Sequence, residues 1–405
     1  MPRVPRVLAY WRAEQRTIRQ GFAALIIASL GNLIAGVSLG SITGTLQSLP
    51  GLMVLVPAAI GMRGNIFGAL GSRLGTTIHA GLFAPTRARE QFLYQNVYAA
   101  TVLTFAVSLA LGILAKVLSV AFGVTSISIL DFVLISLLGG VLSSIFVGAF
   151  AVTLAVRAHR RGWDLDSVAA PLITAAGDVV TLPSLFVATY AVGLRWVTPA
   201  LGAIAIASAV LVTVRGLLTD LTTTRRIIRE SLLLLSIAGA VDVFAGLVVE
   251  TRLEDFVAFP ALLVLIPPFL ADAGALGGIL TSRLASKLHL GAMSPRGRPE
   301  GVAVLDSSIV LLFAVLIFVL VGITTDVAAT LFDLASPGAI RVIGISLFGG
   351  LIATLLATVV AYYAAIATYR LGLDPDSHGI PLITSSMDFV GVVALIIAIL
   401  AFGVG

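Results

Sequence analysis

Long apolar segments alternate with short polar clusters along the whole of this sequence. Each apolar segment has about 20 residues, the length that an α-helix needs to cross the hydrocarbon core of a bilayer. The pattern predicts an all-α integral membrane protein with eleven transmembrane helices. The predicted spans are 21–43, 50–71, 97–122, 131–156, 167–192, 196–219, 231–249, 258–280, 303–324, 340–368 and 379–404.

Composition excludes several other classes of protein. Hydrophobic residues make up 59% of the 405 residues and charged residues only 11%, whereas soluble domains carry about 25% charged residues. The chain has no cysteine, so thiol catalysis, disulfides and thiolate metal sites are excluded. The net charge of +5 is expected to report orientation in the membrane, and no nucleic-acid partner is expected.

The basic residues predict the orientation of the chain. Placing the N-terminus in the cytosol puts twenty basic residues on the cytosolic side and four on the outer side. We read the arginine-rich stretch 1–20 as a cytosolic tail, and the C-terminus is then extracellular. Because most basic residues are arginine, we expect a bacterial or archaeal plasma membrane.

An internal repeat divides the chain. Two groups of motifs recur with one offset of 210 residues, which makes coincidence improbable. The first group surrounds Pro57 and Pro267, and the second joins a Pro-Leu-Ile-Thr sequence to Asp178 and to Asp388. We predict four segments: a tail (1–20), a five-helix repeat (21–193), a linking transmembrane helix (194–220) and a second five-helix repeat (221–405).

The number of spans predicts how the repeats are oriented. Five spans are an odd number, so the linking helix restores the original direction, and the two repeats are expected to be parallel. The second span of each repeat is rich in proline and glycine, as around Pro57 and around Pro267 and Pro268. We therefore predict a broken second helix in each repeat.

Carboxylates and amides fall at one depth in the predicted spans. Asp178 lies about ten residues into its span, which is ~15 Å deep, and Asp388 matches it. This plane is rich in oxygen ligands, which suits a hard divalent cation such as Mg²⁺. The predicted metal-binding residues are Asp178, Asp388, Asp242, Asn32, Asn65 and Asp272. Pathway backbone is expected at Gly64, Gly274, Thr174 and Thr384.

Several of these residues have a second, purely structural interpretation. Asp178 and Asp388 would serve equally as hydrogen-bond partners in helix packing, and Asp272 would neutralise Arg63. A cytosolic surface position favours headgroup contacts or structural pairs for Arg73 and Arg283. The histidines His79 and His289 are expected at the interface. The acidic pairs Asp164/Asp166 and Asp374/Asp376 are expected to cap helices.

The motif from Val56 to Asn65, followed by Ser72-Arg73-Leu74 and the Pro-Leu-Ile-Thr…Asp sequences, resembles the membrane domain of MgtE-type magnesium transporters. The resemblance is closer to their duplicated relatives in solute carrier family 41. It implies that Asp178 and Asp388 hold a hydrated Mg²⁺ in a central pore and that Gly64-Asn65 lines it. The second half departs from this motif, because Ala275 replaces the asparagine.

Other functions remain open at this stage. The first alternative is an H⁺- or Na⁺-coupled carrier of another substrate that uses the same aspartates. An intramembrane aspartyl enzyme is the second, although neither aspartate lies in a Gly-x-Gly-Asp motif. The expected partners are the cation and the lipid bilayer. Because the repeats are fused, a monomer is expected to suffice, with a homodimer as the alternative.

Overall fold

The computed structural model describes residues 4–79, 81, 83, 86, 88–161, 169–371 and 380–404. These residues form fourteen α-helices and no strand. The helices are α1 (Val4–Ala13), α2 (Gln15–Gly40), α3 (Thr43–Ser48), α4 (Leu52–His79), α5 (Phe92–Ala121), α6 (Ile129–Arg161), α7 (Ala169–Thr189), α8 (Val197–Leu217), α9 (Thr222–Glu250), α10 (Leu253–Ala258), α11 (Pro260–His289), α12 (Gly301–Leu331), α13 (Ala339–Leu371) and α14 (Ile380–Ala401).

Eleven of the described helices are long and apolar enough to cross a membrane. They match the predicted spans one for one, so the all-α, eleven-span architecture is confirmed. The remaining helices, α1, α3 and α10, are short and precede α2, α4 and α11 respectively. The repeat boundaries and the parallel orientation stay predictions.

The predicted break within the second span of each repeat is wrong. Pro57 lies inside the continuous helix α4, and Pro267 and Pro268 lie inside α11. The backbone turns just before each helix instead, and Gly51 there has the left-handed φ of +83° that favours glycine. A proline removes one helical hydrogen bond. Helices α4 and α11 tolerate this loss because they are largely buried against neighbouring helices, to 78% over an apolar stretch of 18 residues in each.

Contacts divide the helices into two compact units. Unit 1 contains α1, α2 and α10 to α14, and unit 2 contains α3 to α9. The predicted repeats are grouped differently, because the first predicted span of each repeat belongs to the unit built from the other repeat's remaining spans. Thus α2 packs on α11 and α12, whereas α9 packs on α4 and α5.

Glycines bring these exchanged spans close to their neighbours. In unit 2, a Cβ at Gly246 of α9 would overlap the carbonyl oxygen of Val54 and lie 2.7 Å from that of Met53. In unit 1, a Cβ at Gly36 of α2 would overlap the carbonyl oxygen of Val264. Gly36 and Gly246 are 210 residues apart, so the same backbone contact occurs once in each unit.

A carboxylate caps the start of α4 in unit 2. The backbone N–H groups of Gly51 and Met53 donate to Oε1 and Oε2 of Glu250, at 2.8 and 3.1 Å. The first N–H groups of a helix have no partner within the helix and attract negative charge. Glu250 ends α9, so this contact also fixes α9 on α4.

A buried ion-pair cluster joins α1 to the ends of α11 and α12 in unit 1. Asp306 is fully buried, and its carboxylate accepts from Arg283 at 2.8 Å and from Lys287 at 2.5 Å. Tyr10 of α1 donates its hydroxyl to Asp306 at 2.7 Å, and Arg283 also pairs with Glu14 at 3.2 Å. The structural pair expected for Arg283 is therefore present.

At the corresponding place in unit 2, the arginine has a neutral partner. Arg73 donates from Nε to Oδ1 of the fully buried Asn96 at 2.7 Å. Asn96 is the repeat counterpart of Asp306, and Thr77 is the counterpart of Lys287. In unit 2 an arginine bound to an amide therefore occupies the position that two cations bound to a carboxylate occupy in unit 1.

We expect Asp306→Asn to destabilise the protein by ~3–5 kcal/mol, because two partly buried cations lose their carboxylate. The double variant Asp306→Asn with Lys287→Thr copies the neutral arrangement of unit 2 and is expected to recover much of that loss. Thermal unfolding in detergent would measure both. An unfolding temperature for Asp306→Asn equal to that of the wild type would refute the prediction.

Candidate cation site

The first group of site residues lies where α4 meets α7 in unit 2. A Cβ at Gly64 would lie 2.9 Å from Cγ2 of Thr174, and one at Gly68 would lie 3.1 Å from the Thr174 hydroxyl oxygen. Asp178 follows Thr174 by four residues, so both side chains lie on the same side of α7. Asp178 is 6% exposed, which places a carboxylate in a nearly closed position.

Unit 1 repeats this arrangement where α11 meets α14. A Cβ at Gly274 would lie 3.0 Å from Cγ2 of Thr384. Asp388 follows Thr384 by four residues and is 8% exposed. The structure therefore brings Gly64 next to Thr174 and Gly274 next to Thr384. Each threonine is one helical turn from a predicted metal-binding aspartate.

The exchanged first spans add an amide in unit 1 and a carboxylate in unit 2. Asp242 lies on α9 between Gly239 and Gly246, and both glycines contact α4. Its spacing of three and four residues from them puts Asp242 on the face of α9 toward α4, and Asp242 is fully buried. Its counterpart Asn32 is 4% exposed.

Two further predicted residues lie on α4 and α11. Asp272 is 1% exposed, and neither of its carboxylate oxygens has a hydrogen-bond partner within the described residues. The Nδ2 atom of Asn65 is buried, and no hydrogen-bond partner for it lies within the described residues. The Oδ1 atom of Asn32 is also buried, and it too has no hydrogen-bond partner within the described residues. Buried polar atoms of this kind are uncommon. The oxygen of Asn32 could accept from water or bind a cation, whereas the Nδ2 group of Asn65 could only donate to an acceptor such as water.

Arg63 is the basic residue at this level of unit 2. It is 1% exposed, and its two terminal nitrogens donate to Ser108 and Ser144 at 2.8 Å each and to the Gly140 carbonyl at 3.2 Å. None of the ion pairs among the described residues includes Arg63, and its salt bridge to Asp272 of unit 1 stays a prediction from the sequence. Neutral oxygens bind the guanidinium.

The predicted site residues offer carboxylate, amide and hydroxyl oxygens, which are the ligands that hard cations prefer. Within the described ranges, no three histidine, aspartate or glutamate side chains converge as metal ligands. Mg²⁺ gives up its water reluctantly and is commonly held through one or two carboxylates. An aspartate flanked by a threonine hydroxyl and a glycine-lined helix offers the oxygen atoms that such an ion requires.

The remaining predicted residues have separate places. The His289 ring contacts the Ala285 carbonyl oxygen at 2.8 Å and packs against Tyr369. The acidic pairs Asp164/Asp166 and Asp374/Asp376 lie outside the described residues, as does the side chain of His79. Sequence reasoning missed the Glu250 cap and the hydroxyls around Arg63. The depth of Ser108 and Ser144, which matches that of Arg63, was the available signal.

Comparison with protein-family models finds one described as MgtE, a divalent cation transporter. It matches residues 56–188 and again residues 266–398. The two matches begin 210 residues apart (56 and 266), which is the offset of the sequence repeat.

Comparison with curated proteins finds members of solute carrier family 41. Member 3 from Rattus norvegicus is 24% identical over 400 residues, covering 91% of this chain and 83% of the relative. Member 3 from Mus musculus is 26% identical over 370 residues, covering 84% and 73%. Member 2 from Homo sapiens is 24% identical over 409 residues, covering 91% and 68%. No solved structure matches the chain.

Proposed function

Because this chain belongs to the MgtE family of divalent cation transporters, we propose that it moves Mg²⁺ across the membrane along an acidic route between the two sequence repeats. Asp178 and Asp388 each hold the hydrated ion, one in each compact unit. Asp242, Asn32, Asn65 and Asp272 supply further oxygen or amide groups. Gly64 and Gly274, with Thr174 and Thr384, form the walls beside the two aspartates.

The observation that carries this proposal is the repetition of one arrangement in each compact unit. A threonine and an aspartate one turn apart lie on a helix that packs against a glycine of a second, largely buried helix. Intramembrane carboxylates are costly and mark ion pathways by default. A packing role alone does not require a carboxylate at both Asp178 and Asp388, since an amide or a hydroxyl would serve.

Mg²⁺ is proposed over softer metals because of the ligand types. The chain has no cysteine, and the proposed ligands are carboxylate, amide and hydroxyl groups, which suit Mg²⁺, Ca²⁺ and Mn²⁺. The enzyme alternative is set aside, since the family and the curated relatives are transporters. The coupled carrier remains the second candidate, because the relatives are named as solute carriers.

The membrane setting follows the same reasoning. The chain is a multi-pass membrane protein, and we propose that its N-terminus is cytosolic and its C-terminus extracellular, as the basic residues indicate. We also propose that one copy suffices for transport, because both aspartates are in one chain. The bacterial or archaeal origin stays a prediction from composition.

The experiment is ion uptake into liposomes that contain the purified protein and a Mg²⁺-sensitive dye. Uptake would be followed at several membrane potentials, with Mg²⁺, Mn²⁺, Co²⁺ and Ca²⁺ supplied one at a time. Potential-driven Mg²⁺ uptake would support a passive route. Uptake only under an imposed Na⁺ or H⁺ gradient would favour the coupled carrier, and silence toward every divalent ion would refute the proposal.

A further inference from the structure

Arg63 is a buried cation in unit 2 whose described partners are all neutral. Its terminal nitrogens bind Ser108, Ser144 and the Gly140 carbonyl, and its Nε has no hydrogen-bond partner within the described residues. None of the ion pairs found among the described residues includes Arg63. A charge in the membrane interior is expensive and indicates a function for the residue that carries it.

Packing does not explain why an arginine is present. The repeat counterparts of Arg63 and Ser108 are Ala273 and Phe318. In unit 1, the Phe318 ring lies against Gly350, where a Cβ would overlap it, and 5.0 Å from the Phe269 ring. An alanine and an aromatic ring therefore fill in unit 1 the places that Arg63 and the Ser108 hydroxyl fill in unit 2, while Thr354 keeps a hydroxyl at the place of Ser144. The helix arrangement does not require a charge there.

Arg63 is fixed beside the helix that carries Asp178. It precedes Gly64 on α4, and a Cβ at Gly177 of α7 would lie 3.5 Å from the Cβ of Arg63. Asp178 is the next residue of α7 after Gly177. The hydroxyls of α5 and α6 hold the guanidinium, so the charge has a defined position in unit 2, next to the helix that carries the carboxylate.

We propose that Arg63 is a fixed positive charge that weakens the hold of Asp178 on the transported cation and so speeds its release. The inference rests on the proposed function and adds to it a residue that sets how tightly Asp178 binds the ion. A like charge nearby raises the free energy of a bound cation. Conduction requires a site that binds the ion weakly enough for the ion to leave. Asp388 has Ala273 in the corresponding place, so the two aspartates bind the ion unequally.

The test measures KM and the maximal rate of Mg²⁺ uptake in liposomes for Arg63→Gln. Removing the charge is expected to lower KM about tenfold and to reduce the maximal rate, because the ion leaves more slowly. Arg63→Lys keeps the charge and is expected to retain a KM near that of the wild type. Ser144→Ala keeps the charge and its bonds to Ser108 and Gly140, so it is expected to lower thermal stability and to change KM much less than Arg63→Gln does.

A second variant guards against a folding defect in Arg63→Gln. The double substitution Arg63→Ala with Ser108→Phe copies the pair found in unit 1, and Gly140 leaves room for the ring as Gly350 does. It is expected to show the same fall in KM. An unchanged KM in folded Arg63→Gln or in this double variant would overturn the inference while leaving Mg²⁺ transport intact. A wild type that moves no divalent ion would instead refute the proposed function.

Discussion

Replacing Asp178 with asparagine is expected to reduce Mg²⁺ uptake by at least about a hundredfold, and Asp388→Asn is expected to do the same. Each aspartate lies nearly buried, one turn from a threonine that touches a glycine-lined helix. Asparagine keeps the size and most hydrogen bonds of the side chain but removes its negative charge. Since attraction of a divalent ion scales with that charge, transport is expected to fail while the fold survives.

The measurement is dye-reported uptake into liposomes, with thermal unfolding as the check on folding. Asp333→Asn is the matched control, because Asp333 is exposed and has a positive φ that asparagine tolerates. The control is expected to transport like the wild type. Well-folded Asp178→Asn and Asp388→Asn proteins with normal uptake would show that these aspartates serve helix packing and not the ion.

The second large effect is expected at Gly246. Its α-carbon faces the backbone carbonyls of Val54 and Met53, so the methyl group of Gly246→Ala has no flexible side chain to displace. Overpacking of this kind costs ~1–3 kcal/mol and more where the backbone itself must move. We expect a lower unfolding temperature and loss of uptake, because α9 carries Asp242 one turn away.

The control for this prediction is another glycine within a membrane helix. Gly278 lies inside α11, and a Cβ there would have no neighbour within 4 Å, so Gly278→Ala is expected to keep or slightly raise stability. Gly36→Ala, at the counterpart of Gly246, is expected to be as harmful as Gly246→Ala. Equal unfolding temperatures for Gly246→Ala and Gly278→Ala would contradict the close approach of α9 to α4.

The hydrophobic pattern predicts the spans well because bilayer thickness sets the length of every one of them. The repeat offset also indicates which residues are equivalent, and the structure gives Thr174 and Thr384 matching contacts with Gly64 and Gly274. The sequence predicts that these residues share a site, because an aspartate and a glycine-rich span lie at the same depth. It does not predict which atoms are in contact.

Two features were beyond the sequence for physical reasons. Prolines indicate that a hydrogen bond is lost, but tertiary burial decides whether the helix continues, as it does through Pro57. A repeat identifies equivalent residues without telling which bundle a span joins. The exchange of α2 and α9 depends on glycine faces, such as that of Gly246, whose partners become visible only in three dimensions.

The exchange of first spans has a consequence for how the protein is made. A ribosome releases α2 early, yet α11 and α12, on which α2 packs, begin only at residues 260 and 301. Until then α2 must remain in lipid without its final neighbours, while α4 in turn waits for α9. A nascent chain that stops after α7 therefore completes neither unit, and quality-control proteases would meet the first five spans as an unfinished product.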